Sequence, residues 1–433
     1  MEISELYRIF LEHPVVTTDT RDCPEGSIFF ALKGASFNGN EFAGQAIDNG
    51  CSYAVIDERR EDVPADDARF IFVNDVLTAL QQLANMHRKM LGTKIIGVTG
   101  TNGKTTTKEL IAAVLSEKYN VLYTLGNFNN HIGVPKTLLR LKKDHDIAVI
   151  EMGANHPGEI KTLAGIVEPD CGIITNVGRA HLGGFGSFEG VIKTKGELYD
   201  FLRPNHAMVF LHNENEHLKK IADGLTLVRY GTEKADGLAV YGEVMECAPF
   251  LKFRWGKDND AVNVVESKMI GDYNIYNMLA AATVGLTFGI TEEQICHALA
   301  AYTPSNNRSQ LTVTKHNRLV VDAYNANPTS MAAALENFRK MDVQNKMVIL
   351  GSMGELGEVS LEEHYRIVEI LKKMDLDDVW LVGDEFKTTG HPFLHFNNVE
   401  EVKERIAADQ PQNKHILIKG SNSQKLFQLP DLL

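Results

Sequence analysis

Between Val98 and Leu110 the chain reads VTGTNGKTTTKEL, following an apolar run and opening onto a helical one. That is the context in which a loop holds phosphates. Gly100 and Gly103 let the backbone amides of the Gly100–Thr106 stretch, including Thr101 and Asn102, approach phosphate oxygens closely. Lys104 sets a cation against the β and γ phosphates, the Thr105 hydroxyl can ligate Mg²⁺, and the following helix adds its positive end. Val98 stands where GxxxxGK[ST] loops carry their first glycine. The bland alternative is a strand–helix turn with a chance Lys-Thr pair, which must explain strand, Gly-Lys-Thr and helix arriving together. The chemistry expected is ATP use with magnesium.

Two further groups sit where strands should end, and a third follows them. Glu151 closes the run IAVIE and precedes MGANHPGEI; a carboxylate there can hold Mg²⁺, which takes one or two carboxylates besides phosphate oxygens and water. Its plainer role is a capping or salt-bridged glutamate. His181 lies among glycines in ITNVGRAHLGGFGSFEG, directly after another strand. A lone histidine is often structural, whereas one beside a metal–phosphate site is a ligand or catalytic group. Lys193 and Lys195 follow in KTK. They are either a solvated helix face or a cation, or modified lysine, reaching the phosphates.

These groups need a scaffold of strands with helical returns. Ser27–Leu32, Tyr53–Ile56 and Phe70–Val73 read as short strands, and Val76–Met90 as a helix ending near Gly92. Ile95–Thr99, Ile147–Glu151 and Gly172–Thr175 each run into a polar or glycine-rich loop, an alternation that predicts a parallel sheet flanked by helices. Around Lys257–Asp260 the pattern becomes that of a hairpin, and Tyr276–Phe288 reads as a buried helix. Leu319–Val321, Met347–Leu350, Val379–Val382 and Ile416–Ile418 repeat the strand–helix theme, with Gly351, Gly383 and Gly420 at or beyond three of their ends. Ligands collect outside such carboxyl ends. The expected division is 1–92, 93–310 and 311–433.

Composition narrows the partners. In 433 residues, 44 Lys and Arg face 57 Asp and Glu, a net charge of −13; nucleic-acid binding by a basic surface is not expected. The five cysteines, Cys23, Cys51, Cys171, Cys247 and Cys296, are scattered without a CxxC, which reads as reduced thiols filling cores. No apolar stretch reaches the roughly 18 residues a membrane helix needs, and the N-terminus lacks a signal-peptide pattern. A soluble cytoplasmic protein is expected, with no membrane insertion.

With VTGTNGKTTTKEL, the segments GNFNNHIGVP (Gly126–Pro135), EMGANHPGEI and AHLGGFGSFEGV resemble the Mur ligases of peptidoglycan synthesis. The similarity continues through GDYNIYNMLAA (Gly271–Ala281), PSNNRSQ (Pro304–Gln310), VDAYNANPTSM (Val321–Met331), GSMGELGE (Gly351–Glu358) and ILIKGS (Ile416–Ser421). DTRDCPEGSIFFALKG (Asp19–Gly34) is similar to the family's UDP-sugar-binding segment. The resemblance spans nearly the whole chain, in order, and is strongest to the branch that adds a dipeptide. It implies an α/β protein of three domains: a small N-terminal α/β UDP-binding domain, a central P-loop parallel-sheet ATPase domain with an appended β-hairpin, and a C-terminal Rossmann-like domain.

The implied activity joins D-alanyl-D-alanine to UDP-N-acetylmuramoyl-tripeptide through an acyl phosphate, giving the pentapeptide, ADP and phosphate. By the same resemblance Glu151 and His181 serve a second Mg²⁺, and Lys195 aligns with a lysine that several Mur ligases carry as a carbamate. Asn274 and Asn277 look like adenine-side residues; Arg308 and Asp322 resemble residues bridging two domains at the nucleotide, with Tyr324 near base or ribose. Lys104, His181, Lys195 and Arg308 are thereby the expected catalytic set. Thr20, Arg21, Lys33, Asn129, Asn130, Asn325 and Asn327 are expected to meet substrate. A monomer is expected. Asn38-Gly39-Asn40, Gly351-Ser352-Met353 and Asn422 depart from the family's usual Asp-Gly-His, Gly-Asp-Met and Arg. A sister ligase adding the third residue would be expected to carry an Asp-Asn-Pro-Arg-type motif, which is absent. A folylpolyglutamate synthase-like ligase fits NNHIGVP and DAYNANP less well. A nucleotide-binding module without turnover would not require Glu151, His181 and Lys195 together.

Overall fold

Nineteen strands in three sheets carry the chain in a computed structural model that describes residues 1–60, 63, 66–247, 249–304 and 310–433. The first sheet is parallel, in the order β1 (Val16–Thr17), β2 (Ile28–Phe30), β3 (Tyr53–Ile56) and β4 (Phe70–Phe72). The second uses β5 (Lys94–Thr99), β6 (Val121–Tyr123), β7 (Ile147–Glu151), β8 (Cys171–Ile174), β9 (Met208–His212), β10 (Thr226–Gly231), β11 (Leu238–Cys247), β12 (Phe250–Gly256) and β13 (Asn263–Ile270). Their order is β13-β12-β11-β10-β9-β8-β5-β7-β6. The third comprises β14 (Gln310–Val313), β15 (Arg318–Asp322), β16 (Lys346–Gly351), β17 (Asp378–Val382), β18 (Leu394–Phe396) and β19 (His415–Lys419), ordered β14-β15-β19-β16-β17-β18.

By contact density the chain divides into two units, one of 1–98, 119–153 and 159–172, the other of 99–118, 154–158 and 173–433. In the first, β5 and β6 flank β7 in parallel register, with Val98 opposite Glu151. The helix Val76–Leu91 begins where the Asp75 side chain accepts from Thr78 N at 2.6 Å and ends at Gly92, whose φ of +68° suits a left-handed cap. In the second unit β9, β10 and β11 are parallel, then β11, β12 and β13 antiparallel. The expected hairpin at Lys257–Asp260 is the β12–β13 turn, with β11 as an unanticipated third member. The helix Ile275–Thr287 is buried along most of its length, as its nearly unbroken apolar run requires.

The third sheet is parallel except at β14, which pairs antiparallel with β15. Helices cover it on both faces, as two separate apolar clusters attest. Behind it, His364 is fully buried: its Nε2 accepts from Met353 N at 2.9 Å, and its Nδ1 donates to the Ser360 carbonyl at 2.7 Å. Burial holds its pKa below the ordinary 6.5. The unfolded chain therefore binds this proton at higher pH than the native one. Its stabilising contribution is complete above pH 6.5 and is lost as pH falls through that value toward the native pKa. Urea midpoints should drop more between about pH 7.5 and about pH 5.5 in the natural chain than in His364→Gln. Equal drops would remove His364 from the account.

All five cysteines are free. No described helix is long and apolar enough to cross a membrane.

Candidate active site

The Gly100–Lys104 loop is braced from the neighbouring strand end. β5 ends at Thr99, and the helix Lys104–Leu115 starts after Gly103. Thr175 and Asn176, just past β8, brace the turn between them: Thr175 Oγ1 donates to the Asn102 carbonyl at 2.6 Å, and Asn176 Nδ2 donates to the same oxygen at 3.0 Å. Asn102 N in turn donates to Asn176 Oδ1 at 3.0 Å. Gly100 has φ +140°, and a Cβ there would lie 2.1 Å from Thr175 Oγ1. At Gly103, φ is +76° and a Cβ would lie 2.7 Å from Asn277 Oδ1. Only glycine tolerates both the angles and the crowding. The Lys104 ammonium folds back over the loop, donating to the carbonyls of Gly100 at 3.0 Å and Thr101 at 2.9 Å. Thr105 is buried and Thr106 half-buried at the helix start.

The strand-end segment that braces this loop also carries His181. Gly178 N donates to Thr101 Oγ1 at 3.0 Å, tying the segment to the phosphate loop. His181 adopts φ +50°, a left-handed conformation unusual for a residue with a Cβ and typical of functional turns. Its Nδ1 pairs with the Glu355 carboxylate. Burial lowers its pKa; Glu355 opposes this, while the ammonium groups of Lys104 and Lys195 add to it. The neutral imidazole so favoured is the metal-binding form.

The structure separates the two candidate lysines. In the helix Phe188–Leu202, Val191, Thr194, Lys195, Leu198, Tyr199 and Leu202 are buried, the spacing of one helix face. Lys193 lies two residues, about 200°, around the helix from Lys195 and is exposed. Lys195 is 2% exposed, with Nζ donating to the Ala154 carbonyl at 3.1 Å and 5.1 Å from the Phe185 ring centre. Lys104, Thr105, His181 and Lys195 thus belong to one unit.

Glu151 belongs to the other unit. It is 1% exposed at the end of β7, where Oε1 accepts from Asn129 Nδ2 at 2.8 Å and its amide donates to Thr124 Oγ1 at 3.0 Å. The turn bearing Asn129 is shaped by Asn130, whose Oδ1 accepts from Gly133 N at 2.8 Å. Among the expected uridine-side residues, Arg21 is tied to Asp19 at 2.6 Å, and Thr20 offers its carbonyl to Asn49. Lys33 is bound to Asp57 at 2.9 Å and Glu58 at 2.8 Å. Asn38 and Asn40, at the departure from the family's Asp-Gly-His, complete that cluster by donating to Glu58 and Asp57.

The pair expected on the adenine side, Asn274 and Asn277, forms a relay beneath the loop. Thr107 Oγ1 donates to Asn277 Oδ1 at 3.0 Å, Asn277 Nδ2 to Asn274 Oδ1 at 2.7 Å, and Asn274 Nδ2 to the Ile270 carbonyl at 2.8 Å. Asp322 faces Lys419, in register on the neighbouring strand, at 2.5 Å. Tyr324 is half-buried and Asn325 exposed. Asn327 caps the helix Pro328–Lys340 through Oδ1 and donates from Nδ2 to Asn102 Oδ1 at 2.7 Å. Arg308 lies outside the described residues.

Sequence reasoning did not single out Glu355, Glu363, Arg179 or Lys419, although GSMGELGE, ILIKGS and the RAHL run contain three of them. Among the described residues, no three His, Cys, Asp or Glu side chains form a metal site. Glu151 in one unit and the Thr105 hydroxyl in the other are each an oxygen donor of the kind magnesium takes.

Three family models cover this architecture: "Mur ligase family, catalytic domain" at residues 14–88, "Mur ligase middle domain" at 98–285 and "Mur ligase, glutamate ligase domain" at 307–422. The chain belongs to the Mur ligase family. It is 33% identical over 425 residues to the UDP-N-acetylmuramoyl-tripeptide–D-alanyl-D-alanine ligase of Bacillus subtilis (strain 168), covering 96% of this chain and 92% of that protein. The enzyme of the same name from Escherichia coli (strain K12) is 34% identical, covering 94% and 91%. A crystal structure of MurF from Acinetobacter baumannii superposes with a TM-score of 0.86 at 32% identity, over 96% of this chain and 92% of that one. The Thermotoga maritima MurF ligase in complex with ADP gives 0.85 at 25% identity, over 96% of both chains.

Proposed function

We propose that this chain is an ATP-dependent peptide ligase joining D-alanyl-D-alanine to UDP-N-acetylmuramoyl-tripeptide, with ADP and phosphate as by-products. The observation that carries the reading is the convergence of a braced phosphate loop, a His181 held in a left-handed turn against Glu355 and a buried Lys195, in a chain aligned nearly end to end with ligases of that name. Segments 1–92, 93–310 and 311–433 are assigned to the UDP-sugar, to ATP, and to the incoming amine with part of the nucleotide. The enzyme acts as a monomer in the cytoplasm.

A carboxylate is too poor an electrophile for an amine to attack. Transfer of the γ-phosphoryl group makes it an acyl phosphate; the dipeptide's amine then adds, and phosphate leaves from the tetrahedral adduct. Positioning and charge neutralisation are the protein's share. Loop amides from Gly100 to Thr106 hold the phosphates, and Lys104 exchanges its loop carbonyls for phosphate oxygens. The Asn274–Asn277 relay keeps the loop floor in place. Asp322, Tyr324 and Arg308 attend the nucleotide from the C-terminal side, while Asn325 and Asn327 shape the dipeptide's approach. Thr20, Arg21, Lys33, Asn129 and Asn130 orient the nucleotide sugar. Thr105, Glu151, His181 and a carbamate on Lys195 would hold magnesium, two ions, whose chemistry when bound is charge neutralisation.

One assay tests the reading. Phosphate release should require ATP, UDP-N-acetylmuramoyl-tripeptide and D-alanyl-D-alanine together. Release with a single free amino acid in place of the dipeptide would point to a sister ligase, and no release under any combination to a binding module.

A further inference from the structure

The segment between β8 and His181 is gripped on two sides. From the phosphate loop, Thr101 bonds Gly178. From the opposite side, Thr329 Oγ1 accepts from Arg179 N at 3.1 Å, and Glu363 accepts from Arg179 Nη1 at 2.9 Å. Glu363 is 1% exposed on the helix Ser360–Leu371. A carboxylate so deeply placed requires a cationic partner. Arg366, on its own helix, stands at 3.4 Å; Arg179 makes the shorter contact from a distant part of the chain. Two residues beyond Arg179, His181 meets Glu355, and Gly183 N donates to the Glu355 carbonyl at 3.3 Å. Asn327 reaches Asn102 across the same junction.

We propose that Arg179 is a positioning residue: by clamping the His181 turn to Glu363 and Thr329, it makes the turn and the C-terminal residues around Asn327 move as one piece. Half of the Arg179 side chain is exposed, so its removal uncovers no core. The guanidinium does not enter the chemistry. Its effect is on how much of the time His181 and the dipeptide-side residues are correctly placed together. This rests on the ligase reading for its kinetic consequences, though not for its structural ones.

The test is a double-mutant cycle in the full-length protein. Arg179→Ala should lower kcat at least tenfold with KM for ATP changed less than twofold, assayed below a melting temperature that falls because Glu363 is left with Arg366 alone. Arg179→Lys should recover most of kcat. Arg179→Ala combined with Glu363→Gln should be no slower than the slower single variant. Hydrogen exchange of the peptide spanning 178–186 should accelerate in Arg179→Ala, a readout that stands even if the natural chain shows no dipeptide-dependent turnover. Unaltered exchange, wild-type kcat, or losses that multiply in the double variant would each overturn the proposal. Absent turnover with accelerated exchange would sink the ligase reading and spare the clamp.

Discussion

Lys104→Ala should reduce phosphate release by a factor of ~10³ while leaving the melting temperature within the scatter of the natural protein. The ammonium lies at the mouth of a loop whose shape comes from other groups: Thr175, Asn176 and the two glycines set the backbone, and Lys104 rests on two loop carbonyls. Removing it therefore takes away charge without removing the mould. In the proposed reaction that charge matters most as negative charge spreads over the transferring oxygens, so the loss should fall on kcat. Stopped-time phosphate assays beside a thermal melt decide the matter; a variant with near-full turnover would refute the loop's role.

The second large effect concerns Lys195. An ammonium cannot ligate a metal, whereas a carbamate is an anion and can. Lys195→Ala should cost about 100-fold or more in turnover, and a short-chain carboxylate added to the assay should restore part of it by occupying the vacated volume. Lys195→Arg should stay inactive with or without that additive, because it fills the space and sets a positive charge where the carbamate's negative one is proposed. The opposite pattern, an active arginine variant and no response to carboxylate, would show that the natural group works as a cation. Labelled bicarbonate offers an independent reading, since a carbamate carbon gives its own resonance.

Much of this was legible because apolar runs and glycines mark strand ends. β3 and β7 coincide with their expected ranges, and β5, β16, β17 and β19 extend one residue or so beyond them. β9, β10 and β11 were not anticipated: they carry polar residues such as Arg229 and Glu243 among their apolar ones, and no motif flags them. The short edge strands β14 and β18 give too little periodicity to read. At the site, residue types were readable where a motif concentrates them, yet partners separated by long stretches of chain were not. Nothing in the sequence tells that Glu363 answers Arg179, or that Lys33 is already occupied by Asp57 and Glu58. That Lys195 is buried and Lys193 exposed follows from helical geometry, once the apolar positions around them are seen to share a face.

The bracing of the Gly100–Lys104 turn by Thr175 and Asn176 has a consequence for the working cycle. A flexible loop would lose its conformational freedom each time a nucleotide entered and regain it each time one left. Here that entropy is surrendered once, when the chain folds. The ordering cost is thereby shifted from every turnover to the single event of folding, and successive ATP molecules meet a receptor that needs no rehearsal.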